Sequence, residues 1–228
     1  VIPCEIRWAV PFVDGPPEGL LDERERQRYA GYRQEADRRR FLTGRMLAKR
    51  VAGERLGLAP EAVRFDATCT DCGAPHGPPR IPGAPLALSI SHSGERVGVA
   101  VTGGEPVGLD VESTARRIDA SLIGYALGET ERAELDALPP NERGDGFFAY
   151  WTAKEAAMKA TGRGLRIPLR SLTMSAPGEP PRLLASTDPA LPSNAIRLAR
   201  LGPGAEYRGT VAVLTSDVLD VTERWWAP

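Results

Sequence analysis

The stretch that most constrains this chain is residues 147–162, FFAYWTAKEAAMKATG. Alanines fill its middle, Asp145 is placed to cap its start, and Gly162 stands where a helix can turn left-handed and stop. The stretch therefore predicts a helix. At 3.6 residues per turn, Trp151, Glu155 and Lys159 fall in one column, each one turn after the last. With Trp151 anchored in the interior, that column brings a carboxylate and an ammonium up beside a cleft. A Glu–Lys pair on a solvated face would explain the last two residues equally well. What favours the cleft is a second stretch, Gly108-Leu109-Asp110-Val111-Glu112, which sets two more carboxylates at strand spacing.

In a strand, residues two apart share a face, so Asp110 and Glu112 point together while Leu109 and Val111 point into the core. Neighbouring carboxylates repel unless a positive charge lies between them. With Glu155 they make three, an oxygen set that suits a hard octahedral cation, Mg²⁺ or Mn²⁺, with room for water and phosphate oxygens. His92 lies between Ser91 and Ser93. It reads either as a buried structural histidine or as part of a hydrogen-bonding wall for an anion. Basic residues gather between Arg24 and Arg50. There, residues 34–58 predict a long helix with Phe41, Gly44, Leu47, Ala48 and Val51 as its apolar stripe and Arg38, Arg45 and Lys49 off it. A solvated face accounts for such arginines, but their concentration near a helix start also suits a phosphate-rich ligand.

The charge balance limits what that ligand can be. Lys and Arg number 29 against 30 Asp and Glu in 228 residues, so any anion site is local. Between Arg38 and Arg50 Phe41 is the one interleaved aromatic, and a nucleic-acid partner is not expected. No apolar run approaches the roughly 20 residues that span a bilayer, and no leader pattern opens the chain. Three cysteines do not make a disulfide framework, so a reduced, cytoplasmic protein is expected, without a membrane partner. Cys69, Cys72 and His76 look like half of a zinc knuckle. Their missing partners, Cys4 and His92, are distant in sequence, so an ordered loop without zinc is expected.

Further strands are expected at residues 4–10, 63–67, 86–93, 97–101, 107–112, 169–175, 195–201 and 207–214, and further helices at 21–32, 119–127 and 130–138. Gly103-Gly104 suits a hairpin between the strands at 97–101 and 107–112. Thr130 reads as a helix cap, with Glu131 in the first turn. With no regular βαβ period and no Gly-rich phosphate loop, the fold class is α+β.

Taken together, Ser89-Ile90-Ser91-His92-Ser93, Gly108-Leu109-Asp110-Val111-Glu112, and Trp151-x-x-Lys154-Glu155-x-x-x-Lys159 with Gly162-x-Gly164-Leu165 resemble the signature of the 4′-phosphopantetheinyl transferases, in their long, monomeric surfactin-synthetase type. The likeness is dense between residues 38 and 165. It implies two similar α/β halves, 1–106 and 107–228, packed as a pseudo-dimer. The first half would be the coenzyme A side, the second would carry the metal and the catalytic helix, and the active site would lie in the cleft between them. It implies Asp110, Glu112 and Glu155 as Mg²⁺ ligands. Lys159 and His92 would contact coenzyme A phosphates with Ser91 beside them, and the basic stretch from Arg38 to Arg45 would hold the 3′-phosphate and adenine end. The family's basic residue before the Ser-His motif is replaced by Pro78, which leaves Arg80 as the nearest substitute.

The implied reaction moves the 4′-phosphopantetheine arm of coenzyme A onto a serine of an apo acyl or peptidyl carrier protein, with 3′,5′-ADP departing. Lys159 would stabilise the leaving charge and Glu155 would act as general base, with Glu131 as the second candidate. The alternative is a Mg²⁺-dependent hydrolase of coenzyme A or another nucleotide that uses the same carboxylates with water as nucleophile.

Overall fold

A computed structural model of the chain describes residues 1–12, 15, 17, 19–69, 73–74, 77–163 and 167–226. Its first elements are β1 (Ile2–Ala9), α1 (Glu23–Gly31), α2 (Glu35–Leu56), β2 (Ala87–Ser93) and β3 (Arg96–Thr102). There follow β4 (Val107–Ser113), α3 (Ala120–Ala126), α4 (Glu129–Ala137) and α5 (Arg143–Thr161). The chain ends with β5 (Leu172–Met174), β6 (Leu183–Ser186), β7 (Arg197–Leu201), β8 (Tyr207–Val213) and β9 (Leu219–Trp225). The fold is α+β.

Two sheets face each other across one core. The first has the order β2-β3-β1-β9, with β9 running parallel to β1 and the other pairs antiparallel. The second, β4-β8-β7, is antiparallel throughout. Cys4, Ile6 and Trp8 on alternate positions of β1 meet Leu109, Val111, Val211 and Val213 from the second sheet. On the outer face of the first sheet α2 packs Leu47, Ala48 and Ala52 against Leu88 and Val99. α5 covers the outer face of the second sheet and adds a further core with α4 and β5. β3 is covered on both sides, which is why its sequence is almost continuously apolar.

The same topology occurs twice. β1, α2 and the hairpin β2–β3 run strand, long helix, hairpin, and β3 lies centrally. β4, α5 and the pair β7–β8 repeat that order, with β8 central. β9 falls outside this repeat: it pairs with β1, and its Glu223 accepts the Gly202 amide at the end of β7.

Several local expectations are corrected. β3 and β4 do not form a hairpin, because β1 and β2 already occupy both edges of β3 and β4 pairs with β8 instead. Residues 63–67 are not a strand; among the described residues one bridge, Asp66 to Arg80, forms there. α5 begins at Arg143, so Asp145 lies in its first turn and does not cap it. α4 is capped at Gly128, whose amide donates to Glu131, and Thr130 is inside the helix. Leu169–Ser171 is a 3-10 turn ahead of β5. β6 and β9 had no counterpart in the sequence reading.

Candidate active site

β2 and β4 are the facing edges of the two sheets, and among the described residues no backbone ladder joins them. Serine hydroxyls do so instead. The Leu109, Val111 and Ser113 amides donate to Ser89, Ser91 and Ser93 Oγ at 3.0, 3.2 and 3.1 Å. The Ser-x-Ser-x-Ser spacing of β2 thus matches the two-residue period of β4. An edge amide left unpaired in the interior would cost a full hydrogen bond, which the hydroxyls supply.

Beside this seam is a pocket of about 280 Å³ lined by Ile90, Ser91, His92, Asp110, Glu112, Trp151, Glu155 and Lys159. Six candidate site residues named from the sequence, Ser91, His92, Asp110, Glu112, Glu155 and Lys159, therefore meet, with Trp151 beside them. The helix column forms because Gly162, at φ 69°, closes α5 one turn beyond Met158, leaving Lys159 over Gly108. Trp151 is partly buried, packed 5.9 Å from Phe147, and forms pocket wall; it is not the interior anchor expected of it.

Asp110 is buried. The Lys159 ammonium donates to its Oδ1 at 2.6 Å and Ser91 Oγ donates to the same oxygen at 3.1 Å, while Oδ2 is buried with no partner among the described residues. Burial raises the Asp110 pKa, against the pull of Lys159 and Ser91. Burial likewise raises Glu112, which accepts from Ser93 Oγ at 2.7 Å and from Arg116 at 3.2 Å. Glu155 has its pKa pushed up to about 7, by burial first and then by the charge of Asp110, with Lys159 opposing and Glu112 adding a smaller push. Lys159 also donates to the Leu109 carbonyl and to Ser91 Oγ. Ser91 therefore has its donor and both lone pairs engaged, leaving none for a phosphate in this arrangement.

Among the described residues no three carboxylate, imidazole or thiol groups close on a common point. The chemistry of the wall still fits a divalent cation. Its donors are hard oxygens, one buried oxygen of Asp110 has no partner among the described residues, and each carboxyl is held above its ordinary pKa chiefly by burial, a cost that a bound cation would offset.

His92 reaches solvent at the pocket mouth. The surrounding walls, then the charges of Arg40 and Lys159, hold its imidazole below the ordinary pKa. Arg40, expected only as one of the basic stretch from Arg38 to Arg45 and not singled out, donates to the Gly94 carbonyl at 3.2 Å and pairs with Asp37 at 2.7 Å. The signal for it was Gly44: α2 approaches β2 at Gly44, where an added Cβ would lie 3.0 Å from Ile90, so the residue one turn earlier falls towards His92.

The other basic residues lie elsewhere. Arg38 donates to the Tyr32 carbonyl and faces Glu35. Arg45 and Lys49 are not off the buried face of α2, as expected, but under α1. Lys49 is wholly buried on Glu25 at 2.8 Å and the Leu20 carbonyl at 2.7 Å. Arg45 lies over Phe41 and Phe65 and lines a separate pocket of about 570 Å³ with Arg24 and Arg28; its Nη1 has no partner among the described residues. Arg80 and Pro78 line a third pocket, about 500 Å³, which reaches Lys159 and Gly162 from the side away from His92.

Glu131 does not face the site. It is buried on Lys154 at 2.5 Å, and its two oxygens also take the amides of Gly128 and Met174. Lys154 Nζ completes its bonds on the Ala126 and Leu169 carbonyls. Cys69 is buried, while Cys72 and His76 of the suspected knuckle, and Gly164 and Leu165 of the last motif, lie outside the described residues.

Residues 106–212 match the family model described as the 4'-phosphopantetheinyl transferase superfamily. A 4'-phosphopantetheinyl transferase of Bacillus subtilis is 30% identical over 154 residues, covering 66% of this chain and 64% of that protein. The 4'-phosphopantetheinyl transferase HetI of Nostoc sp. is 35% identical over 129 residues, 56% of this chain and 54% of that protein. Among solved structures, the chain is similar to holo-[acyl-carrier-protein] synthase (AcpS) of Thermotoga maritima at 20% identity and a TM-score of 0.40, over 49% of this chain and 64% of that one. The chain spans a little under two thirds of the length of the Bacillus relative.

Proposed function

We propose, from the premise that residues 106–212 belong to the 4′-phosphopantetheinyl transferase superfamily, that this chain transfers the 4′-phosphopantetheine arm of coenzyme A to a serine of an apo carrier protein. The observation that carries this reading is one pocket holding Asp110, Glu112, Glu155, Lys159 and His92, with the Glu155 carboxyl pushed up to about 7. A carboxyl poised near neutral pH is suited to take a hydroxyl proton.

In the reaction, the carrier serine oxygen bonds to the phosphorus bearing the pantetheine arm, and the bond from that phosphorus to the oxygen of 3′,5′-ADP breaks. The serine proton goes to a Glu155 carboxylate oxygen. Lys159 sits on Asp110 and the Leu109 carbonyl, from which its ammonium can turn to the phosphate oxygens that gain charge. His92 and Arg40, across the mouth, supply the remaining donors for an anion. Asp110, Glu112 and Glu155 would hold Mg²⁺, whose chemistry there is to neutralise phosphate charge. Arg45 is assigned to the 3′-phosphate and adenine end through the pocket it shares with Arg24 and Arg28.

The repeated strand–helix–hairpin topology supports two similar halves packed as a pseudo-dimer, with residues 1–106 and 107–228 as the halves and β9 returning to the first. One chain then supplies both walls of the cleft, which favours a monomer. No helix among the described residues is long and apolar enough to cross a membrane. A cytoplasmic location is proposed from the use of coenzyme A.

Intact mass measurement of apo acyl and peptidyl carrier proteins after incubation with coenzyme A and Mg²⁺ tests the reading. One added phosphopantetheine per carrier is expected. Release of 3′,5′-ADP without a carrier, and no mass gain with one, would make the chain a coenzyme A hydrolase.

A further inference from the structure

The three serines of β2 differ in what they do with their own protons. Each accepts one β4 amide: Ser89 from Leu109, Ser91 from Val111, Ser93 from Ser113. The β4 residue just before each amide is Gly108, Asp110 and Glu112 in turn. Where that residue carries a carboxylate, the hydroxyl turns its proton onto it, at 3.1 Å for Ser91 to Asp110 Oδ1 and 2.7 Å for Ser93 to Glu112 Oε2. Where it is Gly108, whose place α5 leaves no room for a side chain, the hydroxyl has no carboxylate to meet.

We infer that Ser91 and Ser93 are positioning residues that fix the rotamers of Asp110 and Glu112 for a divalent cation, whereas Ser89 serves the seam alone. A hydroxyl that accepts a backbone amide is held in place by the strand; Ser91, which accepts from Lys159 as well, has only its O–H left to direct, and the Ser93 O–H turns to the carboxylate beside it. That fixes one oxygen of each carboxylate. The other oxygen of Asp110, Oδ2, has no partner among the described residues and is free to coordinate, and the other oxygen of Glu112 meets only the exposed Arg116, at 3.2 Å. A carboxylate free to rotate would have to be ordered at each binding event, at a cost in affinity.

This inference rests on the reading of Asp110 and Glu112 as cation ligands, and the test separates the two. Mn²⁺ binding to the apo protein, read by electron paramagnetic resonance without coenzyme A, is compared for wild type, Ser89→Ala, Ser93→Ala, Ser93→Thr, Ser91→Ala and Asp110→Ala, with thermal unfolding of each. Ser93→Ala and Ser91→Ala should weaken Mn²⁺ by about 10-fold or more, the usual effect of losing a group behind a ligand. Ser89→Ala should lower the melting temperature with wild-type Mn²⁺ affinity, and Ser93→Thr, which keeps the hydroxyl, should bind as wild type does. Wild-type affinity in Ser93→Ala, or an equal loss in Ser89→Ala, overturns the positioning role while leaving the ligands in place. Wild-type affinity in Asp110→Ala overturns the ligand reading and the inference with it.

Discussion

Gly108 on β4 and Ala156 on α5 lie so close that a Cβ on Gly108 would sit 2.0 Å from the Ala156 carbonyl oxygen. The Ala160 amide nitrogen, at 2.4 Å, closes the same space. This contact brings the helix column down onto the strand carboxylates, which is how Lys159 reaches both the Leu109 carbonyl and Asp110.

Gly108→Ala is accordingly expected to do damage out of proportion to one methyl group. The clash is with backbone, which cannot rotate aside, so α5 must lift. A loss of roughly 2–4 kcal/mol in urea unfolding is expected, at the upper end of overpacking effects, together with loss of transfer. A variant as stable and active as wild type would show that α5 has room to move over β4.

Glu155 makes the metal-free protein's stability depend on pH. Its carboxyl is raised from 4.5 to about 7, so between those values the native state keeps a proton that the unfolded state has lost. Wild type therefore loses stability as pH rises through that window, and the loss is complete above about 7. Glu155→Gln, which does not titrate, should match wild type near pH 4.5 and exceed it at pH 8 by on the order of 1–3 kcal/mol for this half-buried group. Denaturant unfolding in a chelator at both pH values measures this; an advantage that is the same at both would place the effect outside this titration.

Arg40 and Arg38 should differ although they are two residues apart on one helix. Arg40 faces His92 across the mouth of the pocket, whereas Arg38 is tied to the Tyr32 carbonyl. Arg40→Ala should weaken coenzyme A by about 10- to 100-fold, the worth of a charge-assisted hydrogen bond of roughly 1.5–3 kcal/mol. Arg38→Ala should change it little. Calorimetric titration of both variants decides, and equal losses would move the phosphate contact away from Arg40.

Lys154 belongs to the same motif as Glu155 but should act on stability. Its ammonium is wholly buried among Glu131 and the carbonyls of Ala126 and Leu169, and burial lowers its pKa against the support of Glu131. Lys154→Met leaves the Glu131 charge unpaired inside the protein, at an expected loss of about 3–5 kcal/mol. Adding Glu131→Gln should return part of it, since the amide keeps an oxygen for the Gly128 or Met174 amide. Equilibrium unfolding of the single and double variants measures the coupling, and independent losses would mean that the pair does not act as one unit.

Short-range periodicity carried much of this protein in its sequence. The Trp151, Glu155, Lys159 column follows from the helix turn, and the shared face of Asp110 and Glu112 follows from the strand repeat. Each needs only a few neighbouring residues, and each stands as spaced. What the sequence could not say is which distant groups would be brought against them. β9 reads as an ordinary polar segment until it is laid beside β1, some two hundred residues away in the chain. Arg45 and Lys49 look solvated until α1 covers them and Glu25 meets their charge. Glu131 looks like a helix-start acid until Lys154 arrives from α5. The serine ladder is the clearest case, because its spacing is local while its meaning depends on β4 lying opposite with two carboxylates in register. A side chain's charge and reach are properties of its residue type. Its burial and partners come from contacts between segments far apart in the chain, and only the closed packing of the two sheets and their helices decided those.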